Sequence, residues 1–111
     1  MNDAIARTCG FATQAEQERL GRIYSALKTA IEEISGPMIE TEVFTEREAY
    51  SSEYEWCLNQ DAQRVSLVND QGLVIWFKFD GSTEVMRWPE FRSASIVSIL
   101  SLALSAIAEV K

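Results

Sequence analysis

Glu40, Glu42, Glu46, Glu48, Glu53 and Glu55 fall within sixteen consecutive residues, offset only by Arg47. Carboxylates at that density can work as acids and bases, hold a hard cation, or present negative charge to a partner. The rest of the chain narrows the choice. It has no histidine, so the commonest general base and metal ligand is missing. Cys9 and Cys57 therefore lack a histidine to activate them, and they form neither a C-x-x-C nor a metal-type spacing. No serine sits in G-x-S-x-G, and no calcium-loop pattern occurs. The five glycines are scattered singly, so nothing resembles a phosphate cradle. Carboxylate pairs remain, but with seventeen acids they arise everywhere by chance, and 111 residues leave little depth for a substrate cleft. The expectation is a protein that is not an enzyme and takes no cofactor or metal.

Docking is left. Net charge is −7 and the pI is about 4.5. Such a chain repels phosphate backbones, so direct nucleic-acid binding is not expected, whereas a basic protein surface is attracted. Phe44 stands in the middle of the acidic row, and Trp76 lies on an apolar run farther along. An acidic rim around aromatic anchors is how a binding surface for a basic protein looks. The plainer reading is a solvated sheet face kept charged for solubility. The candidate partner-binding residues are Glu40, Glu42, Phe44, Glu46, Glu48, Glu53, Glu55 and Trp76.

The elements that must position them follow from periodicity. The run Leu73 to Phe79 is rich in β-branched and aromatic residues between Gly72 and Asp80-Gly81. It reads as a central strand with Leu73, Ile75, Phe77 and Phe79 on the core face and Val74, Trp76 and Lys78 on the other. Leu20, Ile23, Tyr24, Leu27, Ile31 and Ile34 make one apolar stripe, which predicts a helix over Thr13 to Ser35. Thr13 and Glu16 form a capping box, and Gly36-Pro37 ends the helix. Met38 to Glu48 alternates, with Ile39, Thr41, Val43 and Thr45 on one side and the glutamates on the other; it reads as one strand with a wet face. Tyr50 to Ser52 reads as a loop. Glu53 to Leu58 fits a strand with Tyr54, Trp56 and Leu58 inward, or a helix capped by Ser52 and Glu55; the aromatic content favours the strand. Gln63 to Asn69 and Ser82 to Trp88 complete the meander, the latter across an Asp80-Gly81 hairpin.

Pro89 suits the first turn of a helix from Phe91 to Val110. Ser93 to Ala108 carries no charge and five serines. Its sixteen residues fall short of the roughly 20 of a membrane span, so a core helix is expected, with Leu100 and Leu104 on its buried side. Ser98, Ser101 and Ser105 lie on a small-residue stripe that would pack on the first helix or form a homodimer contact. Residues 1 to 12 read as a short helix or mobile arm. No secretory signal opens the chain, and two reduced thiols suit a cytoplasmic protein better than a Cys9–Cys57 bridge.

The expected fold is a single α+β domain. An N-terminal helix precedes a four- to five-stranded, mostly antiparallel β-meander and a C-terminal helix, with both helices on one face of the sheet. The expected function is that of a small acidic inhibitor, of the immunity or phage anti-defence type, that blocks a basic surface of a partner, including that of a nucleic-acid-binding protein. The alternative is an acidic dimeric chaperone or adaptor for a secreted or unstable partner. Both rest on analogy of class rather than on a diagnostic residue.

Overall fold

A computed structural model describes residues 12–43, 46–90 and 93–108 of the chain. The expectations for the first eleven residues, for Cys9, for Phe44 and for both ends of the C-terminal helix lie outside the described residues. Helix α1 spans Gln14–Ser35 and helix α2 spans Ala94–Ala108. Between them run β1 (Met38–Val43), β2 (Glu46–Ser51), β3 (Trp56–Gln60), β4 (Arg64–Asn69), β5 (Leu73–Lys78) and β6 (Thr83–Arg87). The six strands form one antiparallel sheet in sequence order.

Helix α1 starts where its capping box requires. Thr13 Oγ1 accepts from the Glu16 N–H, and Glu16 Oε1 accepts from the Thr13 N–H at 2.9 Å. It stops at Gly36, whose φ of 86° most residues resist. Its buried residues Leu20, Ile23, Tyr24, Leu27 and Ile31 lie on the inner face of the sheet. That face is built from Ala49, Trp56, Leu58, Val65, Leu67, Leu73, Ile75 and Phe77. Ile96, Ile99 and Ala103 of α2 join the same core, so both helices cover one face. The alternation in β4 and β5 is unbroken, every second residue being buried.

The sheet has six strands rather than four or five, because Met38 to Ser51 is a hairpin rather than one strand and a loop. Met38 pairs with Ser51 and Val43 with Glu46. The phase of β1 is also opposite to that expected. Met38 is buried while Ile39 is 69 % exposed. Ile39 and Thr41 thus belong to the outer face, and Glu40 and Glu42 to the helix side. Tyr54 is likewise outside the core, at 69 % exposed. The stretch Ser52–Tyr54 is a short 3₁₀ turn with left-handed φ values at Glu53 and Tyr54, so β3 begins only at Trp56. Ser51 Oγ accepts from the Trp56 N–H at 2.7 Å and closes that turn.

Candidate protein-binding surface

The hairpin register divides the acidic row. Glu46 and Glu48 fall on the outer face of β2, since Ala49 and Ser51, at the alternate positions of the strand, are buried. Glu40 and Glu42 fall on the helix side at the edge of the sheet. Glu53 and Glu55 sit in the turn before β3, on neither face of a strand. The glutamates therefore do not share one outer face as expected. They surround the β1–β2 hairpin on both faces and at both ends. Spreading like charges over two faces avoids the direct cross-strand repulsion that one row would impose.

Two networks fix parts of this hairpin. On the helix side the Tyr24 hydroxyl donates to Glu40 Oε2 at 3.2 Å, and Lys28 Nζ approaches the same carboxylate at 3.9 Å. The Arg47 guanidinium lies 4.1 Å from the centroid of the Tyr24 ring, donates from Nε to Gln60 Oε1 at 3.1 Å and from Nη2 to the Gly21 carbonyl at 3.4 Å. Burial raises the Tyr24 phenol well above its ordinary range, and the Glu40 carboxylate adds to this. On the outer face Tyr50 donates to Glu48 Oε2, and Asn59 Nδ2 donates to Glu48 Oε1 at 3.1 Å. The hydrogen bond to Glu48 pushes the Tyr50 phenol up to about 12. Both carboxylates thus serve as fixed acceptors, while Glu42, Glu46 and Glu53 are exposed.

Beside Tyr50 the outer face holds a shallow hollow of about 250 Å³, lined by Glu48, Tyr50, Cys57, Asn59, Ser66 and Val68. Cys57 carries a free thiol. Burial, with Glu48 and Asp70 nearby, raises its pKa, so the thiol stays protonated and is a poor nucleophile. Tyr54 meets Tyr50 edge to face, the ring centroids 5.4 Å apart. No other element packs on this face among the described residues, whereas the inner face is closed by two helices.

Trp76 is on the outer face, as its position in β5 requires, but it is not at the centre of the acids. Three inter-strand steps separate β5 from β2, about 14 Å at the usual spacing. Its ring is half-buried, with the Arg64 guanidinium 4.0 Å from its centroid. Arg64 pairs with Lys78, so it reaches Trp76 as a diagonal neighbour across β4 and β5. The structure adds Tyr50 and Asn59 to the residues singled out in the sequence. Tyr50 is hidden there by the reading of Tyr50 to Ser52 as a loop. Glu48 and Tyr50 stand two residues apart, the same-face spacing of a strand, and would have been matched had β2 been placed.

Of the serine stripe, Ser98 and Ser101 are exposed, and Ser105 lines a groove of about 450 Å³ between α1 and α2 with Leu102 and Ala106. Leu104, expected in the core, is 65 % exposed. The buried side of α2 is turned toward Ile96, Ile99 and Ala103, which leaves Leu104 at its margin. Among the described residues no group of three or more Cys, Asp or Glu is placed to hold a metal ion, and no helix is long and apolar enough to cross a membrane. No protein-family model matches the chain, and neither the curated proteins nor the solved structures give a significant match.

Proposed function

We propose that this chain acts by binding rather than by catalysis, and that it docks a basic protein surface against the acidic β1–β2 hairpin and the open sheet face beside it. One observation carries the reading. A six-stranded sheet leaves one face uncovered among the described residues, and exposed carboxylates stand at its rim, Glu42 and Glu46 on the hairpin and Glu53 in the turn that follows it. Tyr50, Val68, Val74 and Trp76 on that face are only half-buried and can supply contact area. The Tyr24–Glu40 bond and the contacts of Arg47 with the Tyr24 ring and the Gly21 carbonyl hold the hairpin against α1, so the charges are presented on a rigid element. Masking a positive surface of a nucleic-acid-binding protein is the use that fits this charge best, in a cytoplasmic inhibitor of the immunity or anti-defence class.

The test uses four carboxylates that make no side-chain hydrogen bond or ion pair among the described residues, replaced together as Glu42→Lys, Glu46→Lys, Glu53→Lys and Glu55→Lys. Wild type and variant are immobilised side by side and exposed to extract of the native host. Wild type should retain a basic protein in a salt-dependent way, and the folded variant should lose it. Equal retention by both would show that the acids are a solvated rim. The second reading, a dimeric chaperone or adaptor, draws on a different observation: Val85, Met86 and Trp88 expose apolar surface at and just beyond β6, and Val97 and Leu104 do so on α2.

A further inference from the structure

We infer that the free edge of β6, with the apolar flank of α2 beside it, is the seam of a two-fold homodimer. Every residue of β6 is exposed, with Val85 at 52 % and Met86 at 46 %, and Trp88 just beyond it at 42 %. Between this strand and α2 lies a cleft of about 200 Å³, lined by Ile75, Phe77, Val85, Trp88, Leu100 and Leu104. Leu102 and Ala106 face the groove with α1, so the i, i+3, i+7 set Val97, Leu100 and Leu104 flanks the other side of the helix. No charge interrupts α2. The apolar flank and the apolar strand are therefore continuous through the cleft.

The edge itself can pair. Lys78 N–H donates to the Ser82 carbonyl, which makes 78–82 a hydrogen-bonded position of the β5–β6 ladder. Alternation along an antiparallel ladder then sends the N–H and C=O of Thr83 and Val85 away from β5, toward solvent. Charge selects the occupant. Glu84 pairs with Trp76 and Arg87 with Val74, and a bulge between them leaves both on the outer face. A second β6, antiparallel about an axis through Val85, sets Glu84 opposite the bulged Met86–Arg87 position of the second copy, and that position opposite its Glu84. The strand is its own electrostatic complement, which an isologous contact requires. The opposite edge offers no such pattern, because β1 carries Glu40 and Glu42 and no basic residue. Two copies joined at β6 would place both α2 helices on the same side of a continuous sheet, each flank facing the other across the seam. This contact differs from the serine stripe, whose Ser98 and Ser105 lie away from the cleft.

Charge exchange tests the seam. Wild-type protein is expected to sediment and scatter light as a dimer. Glu84→Arg and Arg87→Glu each put like charges together at two symmetric positions and should raise the dissociation constant about tenfold or more. The Arg87→Glu variant leaves the ion pair of Glu84 with Lys78 in place, so its effect cannot come from that pair. An equimolar mixture of the two variants restores opposite charges at both positions and should dimerise again. The double variant Glu84→Arg/Arg87→Glu should also dimerise, which decides the matter if a single variant fails to fold by circular dichroism. A wild type that stays monomeric at all concentrations overturns the inference. So do single variants that dimerise as wild type does, a mixture that remains monomeric, or a double variant that does not dimerise.

Discussion

The two edges of the sheet are managed in opposite ways. At β1 the edge is tied to α1 through Tyr24, Arg47 and Glu40 and is loaded with carboxylates on both faces. At β6 the edge carries one acid, one base and exposed apolar side chains, and only the margin of α2 lies near it. Charge without its complement on a strand deters pairing with a like strand and invites an opposite partner; balanced charge with apolar neighbours permits self-pairing. A single meander can thus carry a rim for a foreign basic surface and a seam for its own copy, at opposite edges of one sheet.

The sharpest break lies in α2, where little more than one turn separates core from margin. Ile99 is fully buried and Leu104 is 65 % exposed. Ile99→Asp should unfold the chain, since an unpaired charge in the core costs several kcal/mol, roughly its entire stability. Leu104→Asp should melt within about 1 kcal/mol of wild type when compared as monomers. Chemical denaturation of the pair checks both, and equal loss in the two variants would move Leu104 into the core.

The anchor of the β1 edge comes next. Tyr24→Ala removes a buried ring, the stacking surface under Arg47 and the donor to Glu40. A loss of about 3–5 kcal/mol is expected. Amide exchange should then speed in the hairpin more than in β5 and β6. A uniform acceleration would mean that the two edges are not held independently.

A smaller effect separates the edges by pH. The phenols of Tyr24 and Tyr50 are both raised, and both sit at the β1–β2 end. A raised folded pKa favours the protonated form, so the stabilisation is fully present below the ordinary tyrosine value of about 10. It falls away as pH rises from there toward about 12 for Tyr50 and beyond for Tyr24. Ultraviolet titration of phenolate should lag that of the unfolded chain over this window. Tyr50→Phe should remove part of the lag without unfolding the domain. A titration matching the unfolded chain would contradict both hydrogen bonds.

How much of this was legible in the sequence varies by element. The α1 boundaries could be read because Thr13, Glu16 and Gly36 carry cap chemistry that acts locally. The inner face of β5 could be read because its own residues alternate without a break, as do those of β4 beside it. The β1–β2 turn could not, because Phe44-Thr45 has none of the Gly, Asn or Asp that mark a hairpin, and alternation continues through it. That miss also inverted β1: a run of β-branched residues looked inward, yet Ile39 faces out and Glu40 is held in by the Tyr24 hydroxyl. Tyr54 was misplaced for a related reason, since a left-handed pair at Glu53 and Tyr54 is not encoded by either residue type. The acid cluster was visible as a count, but its division between two faces depends on the register and could not be. Arg64 over Trp76 is a diagonal contact between strands, likewise invisible until the strands are paired.

The most direct measurement is a partner footprint by amide hydrogen exchange. The protein captured in the binding assay is mixed with wild-type chain, and exchange is followed along every strand. Docking at the acidic hairpin predicts slowed exchange from Glu42 to Glu55 and little change in β6 and α2. Protection confined to β6 and α2, with the hairpin exchanging as in the free protein, would contradict it and assign partner binding to the apolar edge.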